Sequence, residues 1–271
     1  MNSTERLRDT TVLNFGGVSV IRDERVVVDH VDWTMGADER WVVLGRNGSG
    51  KTTLIRIAAL YDHPSSGSVQ VLGETLGRCD VRTLRRRIGF VSAAMADLVR
   101  PELLVADVVM CAKYAALEPY WHDYDAADRE RALMLCERVG IGHAALRPFQ
   151  TLSSGERQQA MIARQQMSLD IGLMLFDEPM AGLDLGAREG FIRRLSELAL
   201  DSSQPPMALV THHVEEIPTG ITHALLIHQG KVLASGALDD TLTAANLSAC
   251  FEVDLRLARR AGRWTAWSDG G

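Results

Sequence analysis

The stretch that decides the fold is Trp41-Val42-Val43-Leu44-Gly45-Arg46-Asn47-Gly48-Ser49-Gly50-Lys51-Thr52-Thr53. Its first four residues are apolar and predict a buried strand, whereas residues 52–60 have the pattern of a helix. Between them, residues 45–52 fit the pattern G-x-x-x-x-G-K-[ST]. Glycines let the backbone curl so that successive N–H groups face one anion, and the helix N-terminus adds free donors. The stretch therefore predicts a phosphate-binding loop between a strand and a helix.

Two side chains of this loop carry the expected chemistry. Only three of the 29 Lys and Arg residues are lysines, so Lys51 in a glycine-rich loop stands out. A lysine at this position reaches the β- and γ-phosphates of a nucleotide, and the hydroxyl of Thr52 ligates Mg²⁺. The predicted nucleotide-binding residues of the loop are Gly45, Arg46, Asn47, Gly48, Ser49, Gly50, Lys51, Thr52 and Thr53.

A second apolar run, residues 173–176, ends in the pair Asp177-Glu178. In a parallel sheet the carboxyl ends of the strands share the edge at which ligands bind. We expect Asp177 to hold a metal ion, and Glu178, on the opposite side by strand alternation, to polarise an attacking water. An acidic pair after a strand is also typical of a helix N-cap, and it is the phosphate loop that favours the catalytic interpretation.

Composition and charge narrow the class of protein. The 271 residues predict one or two domains. A net charge of −6 argues against a broad electrostatic surface for nucleic acid or anionic lipid and leaves a local basic patch as an alternative. No apolar run approaches the ~20 residues of a membrane helix, and the first ten residues contain no hydrophobic signal core. The four cysteines have the spacing of neither a metal site nor a disulfide framework. We therefore expect a soluble, cytoplasmic protein with no direct nucleic-acid contact.

The order of strand and helix patterns indicates an α/β fold. Runs of β-branched residues at 18–20 and 26–31 predict β-structure near the N-terminus, and the pattern turns helical over roughly residues 92–170. From residue 171 strands and helices alternate again, which predicts a parallel sheet covered on both faces.

Residues 152–159, Leu-Ser-Ser-Gly-Glu-Arg-Gln-Gln, resemble the signature motif of the ATP-binding cassette (ABC) ATPases. Ser153 and Gly155 match that motif, whereas Ser154 stands in place of its first glycine and Glu156 in place of its glutamine. A hydroxyl and backbone donors at the start of a helix suit a phosphate. The same residues also fit an ordinary capping box.

Two further short segments resemble the same family. Residues 181–184 look like its D-loop, with Asp184, and residues 210–213 look like its switch segment, with His212 directly after a strand. The resemblance implies that His212 contacts the γ-phosphate and the attacking water, so that Glu178 and His212 are the catalytic residues. His213 stands where an aspartate is common, and we interpret it as peripheral.

The resemblance covers about residues 12–236 and implies a P-loop NTPase fold. Its parts are a RecA-like core with a parallel sheet, an N-terminal antiparallel β-subdomain and an α-helical lobe inserted at roughly 92–170. Residues 237–271 are then a short C-terminal extension whose role the sequence does not indicate. The resemblance also implies ATP and Mg²⁺ as cofactors, with Thr52 and Asp177 on the metal. ATP would lie in a head-to-tail homodimer or paired cassette, between one subunit's loop and residues 153–156 of the other.

The sequence departs from the family at two places. The family stacks an aromatic residue on adenine, and the matching position lies near Arg22, which is either a stacking guanidinium or a solvated turn residue. After the strand at 88–91 the family has a glutamine that touches Mg²⁺, whereas this chain has Ser92 and Ala93. Ser92 offers a hydroxyl and Ala93 no ligand, so coupling between the ATP state and the helical lobe is in question.

Three functions compete at this stage. The first is an ATPase subunit that drives transport through a separate membrane permease at the inner face of the plasma membrane, with the apolar stretch 98–109 either contacting that partner or packing in the core. The alternative is a soluble ABC ATPase that acts on ribosomes or nucleic acid, whose relatives usually carry two cassettes or long coiled coils. A P-loop kinase is disfavoured by the signature and D-loop segments.

Overall fold

The computed structural model describes residues 11–269, and these form an α/β fold around two large β-sheets. The ten N-terminal residues, for which no signal core is predicted, and the last two residues of the predicted C-terminal extension lie outside the described residues. In chain order the strands are β1 Thr11–Arg22, β2 Arg25–Gly36, β3 Arg40–Leu44, β4 Ser66–Val71, β5 Glu74–Thr75, β6 Ile88–Ser92, β7 Leu173–Asp177, β8 Met207–Thr211, β9 His223–His228, β10 Lys231–Ala237, β11 Arg256–Arg260 and β12 Arg263–Trp267.

The helices follow the predicted alternation. They are α1 Lys51–Ala58, α2 Val81–Arg85, α3 Ala93–Ala96, α4 Val105–Met110, α5 Ala126–Arg138, α6 Ser154–Gln165, α7 Leu185–Leu200, α8 Leu238–Thr241 and α9 Ala244–Phe251. Short 3₁₀ turns lie at Cys111–Tyr114, Gly142–Ala144, Phe149–Thr151 and Val214–Glu216. Within residues 11–269, no helix combines the length and apolarity that a membrane crossing requires.

The larger sheet positions the candidate site. Its order is β10-β9-β3-β8-β7-β6, and the five strands from β9 to β6 are parallel, with β10 antiparallel at one edge. Every residue of β3, β7 and β8 is buried, as expected for a parallel sheet covered on both faces. The RecA-like core predicted from the resemblance is confirmed.

The antiparallel sheet is formed by strands from the N-terminal part of the chain, residues 11–75. Its order is β2-β1-β4-β5, and all of its pairings are antiparallel. Its inward side chains, among them Phe15 and Trp33, share a hydrophobic core with Leu54 and Ile55 of α1. The sheet is thereby packed against α1, the helix that follows the glycine-rich loop.

The helices between β6 and β7 form a second core, which settles the two interpretations of residues 98–109. Val105, Val108 and Val109 are fully buried there together with residues of α5 and α6, so most of this stretch packs in the core. Leu98 differs, because 61% of it is exposed. Only this end of the stretch is free to meet another protein.

The segment after β10 is packed on the sheet and does not extend away from it. Leu242, Leu247 and Cys250 are buried in one cluster with Val42 and Leu44 of β3. The hairpin of β11 and β12 adds partly buried side chains to the same cluster. Residues 238–267 therefore complete the core beneath the central strand.

We expect Leu247→Ala to destabilise the whole fold, because a fully buried leucine is lost from that cluster. Such truncations cost about 3 kcal/mol when the cavity does not collapse. The free energy of unfolding is measured by denaturant titration. Leu233→Ala, on β10 and 38% exposed, is the matched control and should change it little. Equal unfolding midpoints for Leu247→Ala and the parent would show that the C-terminal segment is a separate appendage.

Candidate functional site

The glycine-rich loop connects β3 to α1 at the carboxyl edge of the parallel sheet. Gly50, with φ of 101°, is the N-cap residue of α1. A Cβ atom on it would lie 2.8 Å from the carbonyl oxygen of Val27, so only glycine fits this position. The predicted loop between a strand and a helix is thus confirmed as a structure.

Lys51 is held beneath the loop by main-chain oxygens. Its Nζ donates to the carbonyl oxygens of Gly45 at 2.8 Å and Arg46 at 2.9 Å, and only 3% of the residue is exposed. Burial lowers the pKa of Lys51, while the charges of Glu178 and Asp177 act against that shift. A buried ammonium group beside open backbone N–H groups is suited to an anion with several charges.

Asp177 and Thr52 form the neighbouring pair. The hydroxyl of Thr52 donates to Oδ1 of Asp177 at 3.1 Å, and Asp177 is buried at the end of β7. Burial raises the pKa of Asp177 to about 6, with the Glu178 charge acting in the same direction and Thr52 and Lys51 opposing it. A hydroxyl next to a carboxylate is the oxygen donor set that Mg²⁺ prefers.

Glu178 leaves the strand in a left-handed conformation, with φ of 45°. This conformation is uncommon for a residue with a side chain, and here it redirects the chain at the end of β7. Its Oε1 lies 3.1 Å from Nδ1 of His212 and 3.9 Å from Nζ of Lys51. The two predicted catalytic side chains are therefore in contact, next to the loop.

The loop and Glu178 border an open cleft of about 300 Å³. Its lining includes Lys51, Thr52 and Glu178, together with Val27, which the sequence did not indicate because its position depends on the β1–β2 hairpin. The hydroxyl of Ser49 is buried in the loop with no hydrogen-bond partner among the described residues. An unpaired buried hydroxyl beside free backbone donors marks a place that a polar ligand would complete.

Two arginines predicted to bind ATP have other partners. Arg22 donates to Oδ2 of Asp62 at 2.8 Å, and Arg46 forms an ion pair with Glu252 of the C-terminal segment. The main chain of Arg46 still accepts from Lys51. Stacking of Arg22 on a base stays a prediction.

The signature-like turn begins α6 as a capping box. The main-chain N–H of Ser153 donates to Oε2 of Glu156 at 2.8 Å, and Oγ of Ser153 accepts from the N–H of Glu156 at 3.3 Å. His143 contacts the other carboxylate oxygen at 3.0 Å, and these hydrogen bonds lower the pKa of Glu156. Among residues 11–269, no hydrogen bond or ion pair joins this turn to the loop around Lys51.

Asp184 likewise caps its own helix, since it accepts from the N–H of Ala187 at 2.8 Å at the start of α7. On the β6 side, Ser92 is buried and pairs with Asp177 in the strand register, which places it next to the predicted metal ligand. His213 is exposed, and its ring packs on that of His212.

A family model described as ABC transporter matches residues 28–181, which is more than half of the chain. The chain belongs to this family. An uncharacterized ABC transporter ATP-binding protein, YlmA of Bacillus subtilis (strain 168), is 36% identical over 91% of this chain and 93% of its own length. The hemin import ATP-binding protein HmuV of Hahella chejuensis is 30% identical over 89% of this chain and 92% of its own.

Solved structures agree with the fold of this ABC cassette. A transporter described as of the metal-chelate type, in an inward-facing conformation, superposes with a TM-score of 0.74 at 23% identity, covering 94% of this chain and 96% of that one. The ATP-binding cassette MJ0796, a dimer bound to ADP and Pi, superposes with a TM-score of 0.72 at 22% identity, covering 83% and 98%. The chain is an ATP-binding subunit of an ABC transporter and, by family, an ATPase.

We expect Asp177→Asn to stabilise the nucleotide-free ABC cassette in a chelating buffer. The folded-state pKa of about 6 lies above the ordinary value of 3.8, so ionising this carboxyl weakens the fold as pH rises between these values. The raised pKa corresponds to a loss of up to about 3 kcal/mol in unfolding free energy at neutral pH. The asparagine side chain does not ionise. Its unfolding free energy should therefore exceed that of the parent by more at pH 7.5 than at pH 4.5.

The control for this comparison is Asp170→Asn, at an exposed carboxylate paired with Arg87. It should leave the pH dependence of stability unchanged. A gap between parent and Asp177→Asn that is equal at both pH values would contradict the burial of a costly charge at Asp177.

Proposed function

We propose that the chain hydrolyses ATP at the cleft around Lys51, as one of two cassettes that close on ATP and act on a separate membrane permease. The observation that carries this proposal is the position of Glu178, whose Oε1 lies 3.1 Å from Nδ1 of His212 and 3.9 Å from Nζ of Lys51, one residue after the Asp177 that Thr52 contacts. This supports an arrangement in which Glu178 is the base, His212 its orienting partner and Lys51 the phosphate-binding cation, with Glu178 and Lys51 lining the cleft. Residues 12–236 would form the ATPase domain, with its helical lobe at roughly 92–170.

The residues of the cleft fit ATP and Mg²⁺. The unpaired hydroxyl of Ser49 and the glycine backbone offer donors to phosphate oxygens, and Thr52 with Asp177 offers oxygen ligands to the metal. Held by Thr52 and Asp177, Mg²⁺ would neutralise part of the phosphate charge. Ala93 contributes no ligand, and we propose that Ser92, beside Asp177, meets the metal shell in place of the missing glutamine.

In this proposal each side chain has a separate task. Lys51 exchanges its two carbonyl acceptors for β- and γ-phosphate oxygens. Glu178 orients the attacking water and accepts its proton, and His212 holds the Glu178 carboxylate and faces the γ-phosphate. The strained backbone at Glu178 turns its carboxylate toward the opening.

The signature-like turn would serve the second copy. The capping box uses the Ser153 hydroxyl within its own helix, which leaves the N–H groups of Ser154 and Gly155 as free donors of the first helical turn. A Cβ on Gly155 would meet nothing within 4 Å, so this side is open to an approaching molecule. We propose that these donors contact the ATP held by the other cassette. The MJ0796 cassette, which shares this fold, is a dimer, and by analogy this supports a paired arrangement.

We expect Glu178→Gln to lower the rate of Mg²⁺-dependent hydrolysis about 10²-fold or more, since a carboxamide cannot take a proton from water. ATP binding should persist, and the variant should accumulate as an ATP-dependent dimer, measured by light scattering after gel filtration. Glu74→Gln, at an exposed position of β5, is the matched control and should behave as the parent. Monomers of both proteins in saturating ATP would count against the two-cassette mechanism.

Leu98 allows a test of the transport context. As an exposed leucine at the rim of the helical core, it is the part of residues 98–109 that can contact a permease. Leu98→Asp should reduce the fraction of the chain that co-sediments with membranes of its host, with the ATPase rate of the isolated protein unchanged. Leu169→Asp, at a leucine that is 83% exposed, is the control. Recovery of the chain with ribosomes and none with membranes would overturn the transporter proposal.

A further inference from the structure

The C-terminal hairpin packs against the turn that follows His212. The Val214–Glu216 turn begins two residues after that histidine, and strand β12 lies along it. Val214 is buried in a cluster to which Trp264 and Ala266 of the hairpin also contribute. The hairpin therefore covers the outer side of the segment that carries a proposed catalytic side chain.

Arg263 forms the polar part of this contact. Its Nη1 and Nη2 donate to the two carboxylate oxygens of Glu189 at 2.8 and 3.3 Å, and Nη2 also donates to the carbonyl oxygen of Glu215 at 2.7 Å. Farther along β12, the N–H of Ala266 donates to Oε1 of Glu215 at 3.2 Å. A planar guanidinium with several donors in fixed directions can hold such an arrangement, whereas an ammonium group cannot.

The two segments that Arg263 joins both belong to the candidate site. Glu189 lies in the first turns of α7, the helix that Asp184 caps, and Glu215 lies three residues after His212. Within the turn, the hydroxyl of Thr211 donates to the carboxylate of Glu216, and the N–H of His213 donates to Thr211. These inner bonds hold the turn together, and Arg263 fixes where the turn sits relative to α7.

We propose that Arg263 is a positioning residue for ATP hydrolysis, which sets the placement of His212 against Glu178 by holding the following turn to α7. The inference rests on the proposed roles of Glu178 and His212. Arg263 touches neither the cleft nor the Glu178 carboxylate, so it acts through the turn. Its loss would leave the inner bonds of the turn intact and loosen only the placement of the turn.

The test compares Arg263→Ala and Arg263→Lys in the full chain. A misplaced catalytic group lowers the chemical step and leaves nucleotide binding, so Arg263→Ala should lower kcat about tenfold with KM for ATP within about twofold. Arg263→Lys keeps the charge and loses the forked geometry, and its kcat should be intermediate. Arg256→Ala, in the same hairpin and paired with Asp269 away from the turn, should match the parent.

A double-variant cycle separates positioning from general stability. In a His212→Ala background, adding Arg263→Ala should lower the single-turnover rate by less than twofold, because the group that Arg263 positions is already absent. Glu189→Gln removes the carboxylate partner of Arg263 and keeps the contact with Glu215, so it should lower kcat partially. This variant provides the test if Arg263→Ala does not fold. The inference would be overturned if Arg263→Ala had the kcat of the parent. It would also be overturned if Arg263→Ala still lowered the single-turnover rate tenfold in the His212→Ala background, or if KM for ATP rose as much as kcat fell.

The outcomes also distinguish this inference from the proposed function beneath it. If Glu178→Gln hydrolyses ATP as fast as the parent, the proposed site fails whatever Arg263 does. If Glu178→Gln is inactive and Arg263→Ala behaves as Arg256→Ala, the site stands and only the positioning role of Arg263 fails.

Discussion

The buried ammonium group of Lys51 is the constraint to which the rest of the site is fitted. A cation taken from water must find acceptors, and here two main-chain carbonyls of its own loop provide them. The loop reaches this arrangement by curling through glycines with positive φ at positions 45, 48 and 50, a conformation that side-chain-bearing residues rarely adopt. In the proposed function, phosphate oxygens replace these carbonyls as the partners of Lys51.

Strand register brings the other groups toward this cation. Leu44 pairs with Thr211 and Val210 pairs with Asp177, so three neighbouring strands end within one residue of the same level. The residues that follow these ends are Gly45, His212 and Glu178. Their proximity is a consequence of strand pairing, and the left-handed backbone of Glu178 adds the last change of direction. The geometry thus depends on buried apolar strands whose side chains take no part in the chemistry.

The sequence predicts those parts of the molecule that depend on local pattern. The strand, loop and helix around Lys51 and the acidic end of β7 were recognisable because each follows from a short run of residues. The partners of Arg22 and Arg46 were not, since Asp62 and Glu252 meet them only through tertiary packing. The burial of most of residues 98–109 was equally undecided by pattern, because an apolar run fits a core and an interface alike.

The C-terminal segment shows why a match of motifs does not describe the whole working unit. The family model ends at residue 181, yet Leu247 and Cys250 share a core with Val42 of the strand that leads into the loop. Since interiors are close-packed, a change at residue 247 is felt at that strand. The ion pair of Arg46 with Glu252 and the hold of Arg263 on the turn after His212 add polar links to the same region. In homologous cassettes with the same motifs and a different C-terminal segment, the same side chains would therefore be held by different packing and hydrogen bonds.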